Sequence, residues 1–278
     1  MDHGDGDLQA AVATATEWPA GNVSVAVVAA DGTVLATAGD QDHAYRLASV
    51  TKPLTAYAAL IAVEEGAIEW DAAAGPKGAT VRHLIAHTSG LAFDSEAVQA
   101  APGARRIYSN TGFDLLGLEI ATGAGMSFEE YLHEAVCVPL GLTATSVPGS
   151  PAADGISTAA DLSRFAAELQ SPTLVDPATL AAAVEVAFPG LDGVVPGFGR
   201  QRPNDWGLGF EIRGDKSPHW TGASSSPRTF GHFGQAGTFL WVDPDAQVAA
   251  VALTDRDFGD WSKQVWPIWT DGVLAALR

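Results

Sequence analysis

The sequence predicts an α/β fold in which an antiparallel sheet, built from both termini and flanked by helices, carries an inserted, mainly α-helical domain. Strand-like segments lie at the two ends of the chain, between Val23 and Ala38 and between Leu208 and Leu253, while helical periodicity fills the middle. No period of roughly 20 to 50 residues recurs, which removes a repeat array. The expected division is residues 1–48 with 205–278 as a discontinuous sheet domain and 49–204 as the helical insertion, with an active site at their junction.

At the N-terminal end, residues 8–18 suit an entry helix, and Val23 to Ala30 and Thr33 to Ala38 read as two strands joined at Asp31-Gly32, a strong hairpin signal. From Val50 the period changes. Leu54, Tyr57, Ala58 and Ile61 recur at helical spacing, Pro53 suits a first turn and Gly66 supplies a stop. Further helix starts are read at Thr80, at Ser127 with Glu130 as a capping box, at Ser157 and at Asp176-Pro177, and Phe113 to Ile120 reads as helical. Pro189 to Pro203, rich in Gly and Pro, reads as a connector. Strand character returns at Leu208 to Ile212, Thr229 to Phe233, Thr238 to Val242 and Val248 to Leu253, with Asp243-Pro244-Asp245 as a turn. Trp261 to Leu277 looks helical with a break at Pro267.

The 278 residues, 47% apolar and 8% aromatic, can fill a sizeable core, which excludes a disordered, collagenous or coiled-coil chain. Fifteen Lys and Arg against 33 Asp and Glu give a formal charge of −18, so nucleic acid and anionic membranes are expected to be repelled. Cys137, the one cysteine, has no partner for an internal disulfide, and its neighbours Val136 and Val138 predict a buried, inert thiol. The acidic opening stretch reads as no export signal, and the longest apolar runs, such as Val25 to Ala30, are strand-sized, so the expected location is cytoplasmic. A chain that had lost its leader would read the same way.

No G-x-S-x-G surrounds any serine, and neither usual phosphate loop appears. His83 and His87 have the spacing of metal ligands on a helix, but Leu84 stands where a zinc protease needs glutamate, and packing with hydrogen bonding is the expected role; no metal is expected. Ser49-Val50-Thr51-Lys52 is sharper. Three residues apart at a helix start, the amine can reach the hydroxyl, and the free N–H groups of the first turn favour negative charge. Four lysines and 16 serines give ~0.23 such pairs by chance, so the bland alternative is a capping Ser49 beside a solvated Lys52. Tyr108-Ser109-Asn110 adds a phenol and an amide from a loop, and His232-Phe233-Gly234, followed by Gln235 and Gly237, lies on a C-terminal strand.

With these segments the sequence resembles the serine β-lactamases and penicillin-binding proteins, on the branch of class C β-lactamases, D-alanyl-D-alanine peptidases and related carboxylesterases. The matching stretches are Ala48-Ser-Val-Thr-Lys-Pro53, His83-Leu-Ile-Ala-His-Thr-Ser-Gly-Leu91, Tyr108-Ser-Asn110, Pro139-Leu-Gly-Leu142, Ser157-Thr-Ala-Ala-Asp-Leu162, Gly207-Leu-Gly-Phe210 and Gly231-His-Phe-Gly234. The resemblance implies that Ser49 is the acylated nucleophile, that Lys52 and Tyr108 share the general-base work, and that Asn110 positions Lys52 and the substrate. It also implies an oxyanion hole from the backbone N–H groups of Ser49 and Gln235, substrate contacts at His232, Phe233 and Gly234, and no cofactor. Unperturbed Lys and Tyr titrate near pH ~10, and packing the two together is expected to bring each toward neutrality.

Where lactam-active members have Lys-Thr-Gly, this chain has His232-Phe233-Gly234, which lacks the ammonium and hydroxyl that engage a carboxylate. The chain is also short for the branch, and Gly214 to Arg228, with His219 and Trp220, is a candidate wall of the pocket; Arg105, Arg106 and Arg228 are candidate replacement cations. The expected activity is therefore that of an esterase or amidase on a small-molecule acyl substrate. A β-lactamase or D-alanyl-D-alanine carboxypeptidase stands second, and a binding module that deacylates slowly stands third.

Overall fold

The computed structural model describes residues 3–278. Met1 and Asp2, which open the acidic stretch, lie outside the described residues. The chain runs through α1 (His3–Ala13), a 3₁₀ turn, β1 (Val23–Ala29), β2 (Val34–Ala38), β3 (Tyr45–Arg46), a second 3₁₀ turn at Ala48–Val50, α2 (Thr51–Glu64), α3 (Val81–Ile85), α4 (Asn110–Ala124) and α5 (Phe128–Leu132). A wider π turn at His133–Cys137 leads to α6 (Val138–Leu140), β4 (Ile156–Ser157), α7 (Ala159–Glu168) and α8 (Pro177–Ala183). Then come β5 (Gly193–Val195), β6 (Gly199–Gln201), β7 (Glu211–Ile212), β8 (Phe230–Gly234), β9 (Thr238–Asp243), β10 (Val248–Thr254) and α9 (Asp260–Ala276).

Six strands form one antiparallel sheet in the order β2-β1-β10-β9-β8-β7, so N-terminal β1 pairs with C-terminal β10, Val23 opposite Thr254 and Ala29 opposite Val248. Every residue of β8, β9 and β10 is buried, because both faces are covered. Strand alternation divides them cleanly. Phe230, Leu240, Val242, Ala249, Val251 and Leu253 join the core shared with α2, α4 and α7. Phe233, Phe239, Trp241, Val248 and Ala250 join a second, aromatic core with Trp18, Trp220, Trp266 and Trp269, closed by α1 and α9. Among the described residues no helix is long and apolar enough to cross a membrane.

Several local expectations change. The helix read from Ser157 is capped instead by Thr158, whose Oγ1 accepts from the Asp161 N–H at 3.1 Å, because Ser157 belongs to β4 and its hydroxyl is held by Thr145 at 2.8 Å. Leu208 to Ile212 shrinks to the two residues of β7. Gly209, at φ 88°, turns the chain against α2 so closely that a Cβ would fall 2.2 Å from that of Ala56. The connector holds the short β5–β6 hairpin, and α9 runs through Pro267 unbroken, its buried Trp266 and Trp269 fixed in the aromatic core. The Ser127–Glu130 capping box is present. Cys137 is buried, and burial pushes its thiol up to about 11.

Candidate active site

Ser49 sits in the 3₁₀ turn that precedes α2, next to Ala48, whose φ of 46° is left-handed, a conformation that costs a non-glycine residue on the order of 1 kcal/mol. Neighbouring bonds hold the strain in place. Thr51 Oγ1 donates to the Ala48 carbonyl at 2.6 Å and accepts from the Gly155 N–H at 2.9 Å, while Thr238 Oγ1 on β9 donates to the Leu47 carbonyl at 2.7 Å. From the sheet side, Gly234 approaches so closely that a Cβ would fall 2.3 Å from the Leu47 carbonyl oxygen and 3.1 Å from the Ser49 nitrogen. Only glycine fits there. The following residue, Gln235, is tied to Phe258 by a 2.8 Å bond from the Phe258 N–H to its carbonyl, and its own N–H has no acceptor among the described residues.

Lys52, in the first turn of α2, is completely buried, not solvated. Its Nζ lies 2.6 Å from Asn110 Oδ1, 3.0 Å from the Ala152 carbonyl and 3.5 Å from Ser49 Oγ. Tyr108 donates its O–H to Ser49 Oγ at 2.8 Å. Burial lowers Lys52 to about 7, with Asp114 and Asp94 opposing the shift, whereas burial raises the Tyr108 phenol well above its ordinary value. The mutual lowering expected from the sequence is replaced by an asymmetry, because the two groups are charged in opposite protonation states and desolvation disfavours both charged forms. A neutral amine has two N–H donors, which Asn110 and Ala152 accept, and one lone pair, which is left for the Ser49 hydroxyl. The arrangement can take a proton from Ser49 at Lys52 and give one from Tyr108.

The loop carrying Tyr108 is braced by His87. His87, left-handed at φ 56°, accepts the Ile107 N–H at its carbonyl (2.9 Å) and the Ser109 N–H at Nδ1 (3.1 Å), one bond on each side of Tyr108. Its ring lies 4.6 Å from that of Tyr108 and edge-on to Trp206 at 4.7 Å, and burial keeps it neutral. His83 caps α3 by accepting the Thr80 N–H.

On β8, alternation sends neighbouring side chains to opposite faces. His232 meets Tyr108 at 5.7 Å and Trp206 at 5.3 Å; its Nδ1–H donates to the Phe233 carbonyl, and burial beside Lys52 holds it neutral down to about 3. Phe233 points the other way, into the aromatic core, 4.9 Å from Phe258 and 5.8 Å from Trp220. Apolar contact between its ring and a substrate is therefore not what this geometry offers. The 214–228 wall also differs from expectation. His219 and Trp220 are buried and hold Glu211, through His219 Nε2 at 3.3 Å and Trp220 Nε1 at 2.8 Å, and Lys216 completes the cluster at 3.2 Å. Burial alone would raise Glu211, but Lys216 and these donors outweigh it and keep the carboxylate ionised. Of the candidate cations, Arg228 pairs with Asp245 at 2.8 Å and Arg106 is buried against four backbone carbonyls, which leaves Arg105 facing the cleft beside Tyr108.

Sequence reading missed Trp206, the Ala152 carbonyl and Asp94, whose Oδ1 accepts from Asn110 Nδ2 at 2.8 Å and so turns the amide oxygen toward Lys52. Trp206 precedes the Gly207-Leu-Gly-Phe210 stretch, which was the available signal.

The Beta-lactamase family profile matches residues 15–271. A β-lactamase from Mycobacterium bovis is similar over its whole structure, with 54% identity, a TM-score of 0.94, and coverage of 96% of this chain and 99% of that one. EstCE1, a hydrolase with promiscuous acyltransferase activity, shares the fold at 18% identity and a TM-score of 0.80, with 98% of each chain covered. Penicillin-binding protein 4* of Bacillus subtilis is 28% identical over 37% of this chain and 30% of its own length, and Salmonella relatives are matched over 46% of theirs. The chain thus spans less than half the length of the curated relatives it matches. With the family profile covering nearly the whole chain, the protein belongs to the β-lactamase family of serine hydrolases.

Proposed function

We propose that this protein is a serine hydrolase that forms an acyl-enzyme on Ser49 and acts as an esterase or amidase on small acyl substrates. The observation that carries this reading is the buried amine of Lys52, near neutrality at about 7, with its two donors occupied and Ser49 Oγ as its third neighbour. Lys52 takes the Ser49 proton as Oγ bonds to the substrate carbonyl carbon, and the N–H groups of Ser49 and Gln235 receive the oxyanion. Tyr108 gives its proton to the leaving oxygen or nitrogen as that bond breaks, and the Lys52 ammonium, which holds the proton taken from Ser49, then returns one to the phenolate. Water then enters, loses a proton to the same pair and releases the acid. Asn110, held by Asp94, orients the amine.

The ester preference rests on β8. His232 is neutral and buried and Phe233 faces the core, so β8 itself offers neither a cation nor a hydroxyl to a lactam carboxylate. The expected kcat/KM for p-nitrophenyl butyrate exceeds that for nitrocefin by about 10², the equivalent of two weakly satisfied charge-assisted hydrogen bonds. The 54% identity to a β-lactamase favours the second reading, that of a lactam- or D-alanyl-peptide-cleaving enzyme. Efficient nitrocefin turnover with negligible ester hydrolysis would install it. A fluorophosphonate is expected to add one adduct, absent from Ser49→Ala. A burst of nitrophenol without steady turnover would support the slowly deacylating module instead.

A further inference from the structure

Beside Tyr108 the protein forms a cavity of about 400 Å³ that includes no residue of β8. Phe93, Ile107, Val194 and Pro196 give it apolar walls, and Arg105 and Arg200 stand at its rim. The walls are joined. The Arg106 N–H donates to the Asp192 carbonyl at 3.2 Å, the Asn204 N–H to that of Leu191 at 2.8 Å, and a Cβ on Gly193 would fall 2.8 Å from the Arg106 carbonyl oxygen. Tyr108 connects this space to Ser49, and Phe93, half-exposed, stacks on the Tyr108 ring at 5.8 Å.

The charge around this cavity runs against the rest of the molecule. In a chain of net charge −18, the exposed guanidinium groups of Arg105 and Arg200 line this cavity with one carboxylate, Asp192, which pairs with Arg200 at 2.9 Å and with the exposed Arg202, outside the lining, at 3.3 Å. Arg105 has no ion-pair partner among the described residues. Arg106 also lines the cavity; buried and lowered to about 10 by that burial, it stays charged at neutral pH, and its side-chain contacts are carbonyls rather than a carboxylate. A local positive excess in a concave, partly apolar site concentrates anions.

Resting on the serine hydrolase reading above, we propose that this cavity selects the substrate: it takes an acyl chain of a few carbons ending in an anionic group, with the chain on Phe93, Ile107 and Val194 and the anion between Arg105 and Arg200. The fused rings of a lactam fix its carboxylate beside the scissile amide. An open acyl chain can carry one past Tyr108, so the cation absent from β8 is supplied at a different wall and for a different substrate shape.

The test compares p-nitrophenyl butyrate with mono-p-nitrophenyl glutarate, which adds a carboxylate to a short acyl chain. The glutarate ester is expected to have the higher kcat/KM by about tenfold, equivalent to about 1.4 kcal/mol. The ratio should collapse toward one in Arg105→Ala/Arg200→Ala and shrink in 0.5 M salt. A ratio near one in the unaltered protein, or a tenfold ratio that survives both substitutions, overturns the proposal. Binding of glutarate to Ser49→Ala, followed by calorimetry, decides the matter without turnover: binding weakened severalfold by the two Arg substitutions supports the site, and absent or unaffected binding overturns it. Failure of the hydrolase reading has a separate signature, loss of fluorophosphonate labelling at Ser49 with both esters inert.

Discussion

Lys52 and Lys216 are both buried, yet they are held in different ways. Lys52 touches the Asn110 amide oxygen, the Ala152 carbonyl and the Ser49 hydroxyl, all formally neutral. Lys216 touches the Asp205 and Ile212 carbonyls and, at 3.2 Å, the Glu211 carboxylate. Burial lowers both amines, but only Lys216 has an anion in contact to oppose it; the carboxylates that oppose the shift at Lys52, Asp114 and Asp94, make no contact with its amine. Burial alone therefore does not make a base. A base needs burial together with partners that accept N–H bonds without demanding a positive charge, and Asn110 and Ala152 are such partners.

The largest expected effect breaks the Lys52 side of this contrast. Lys52→Ala and Tyr108→Phe are each expected to lower kcat/KM for p-nitrophenyl butyrate by ~10⁴, and the double variant by about as much as the worse single one, because one proton passes through both. Losses that multiply in the double variant would show two independent contributions.

Breaking the Lys216 side is expected to cost stability. Glu211→Gln leaves a buried ammonium without its anion and should reduce the unfolding free energy by about 3–5 kcal/mol in urea titrations. A loss below about 1 kcal/mol would mean that Lys216 is neutral like Lys52, and the contrast would be gone. In the unaltered protein, kcat/KM for the neutral ester should rise about tenfold per pH unit below about pH 7 and level off above it. The sign follows from Lys52: its lowered value leaves the amine protonated, and unable to accept, only on the acid side. A flat profile between pH 5 and 8 would remove Lys52 as the base. The smallest effect sharpens the picture. Asp114 heads the charges that support protonation of Lys52, so Asp114→Asn should move the acid limb toward lower pH by about half a unit, and an unmoved limb would show that Asp114 is screened.

The sheet and the approach of Lys52 to Ser49 were legible because local rules govern them. The Asp31-Gly32 turn, the Asp243-Pro244-Asp245 turn between two strand-length runs and the Ser49/Lys52 spacing each state their structure within a few residues. Other features depend on distant chain. The Ala152 carbonyl is backbone and carries no sequence signature, Asp94 is one acidic residue among 33, and Trp206 acquires meaning only where α3, the Tyr108 loop and β8 converge. The side chain of Phe233 was recoverable in principle, since adjacent residues on a strand cannot both face one site. The asymmetric Lys52 and Tyr108 values required the extent of burial, which no spacing reveals.

The pairing of β1 with β10 also sets an order of events during synthesis. Ser49 and Lys52 emerge early, but Gly234 and Thr238, which seat the Ser49 turn, and β10, which joins the two ends of the sheet, emerge about two hundred residues later. At ribosomal rates of roughly 5–20 residues per second, the nascent chain spends on the order of ten seconds or more with Ser49 already made and the residues that seat its turn not yet made. Over that interval the Ser49 turn lacks the Thr238 bond and the Gly234 contact, which arrive only with β8 and β9.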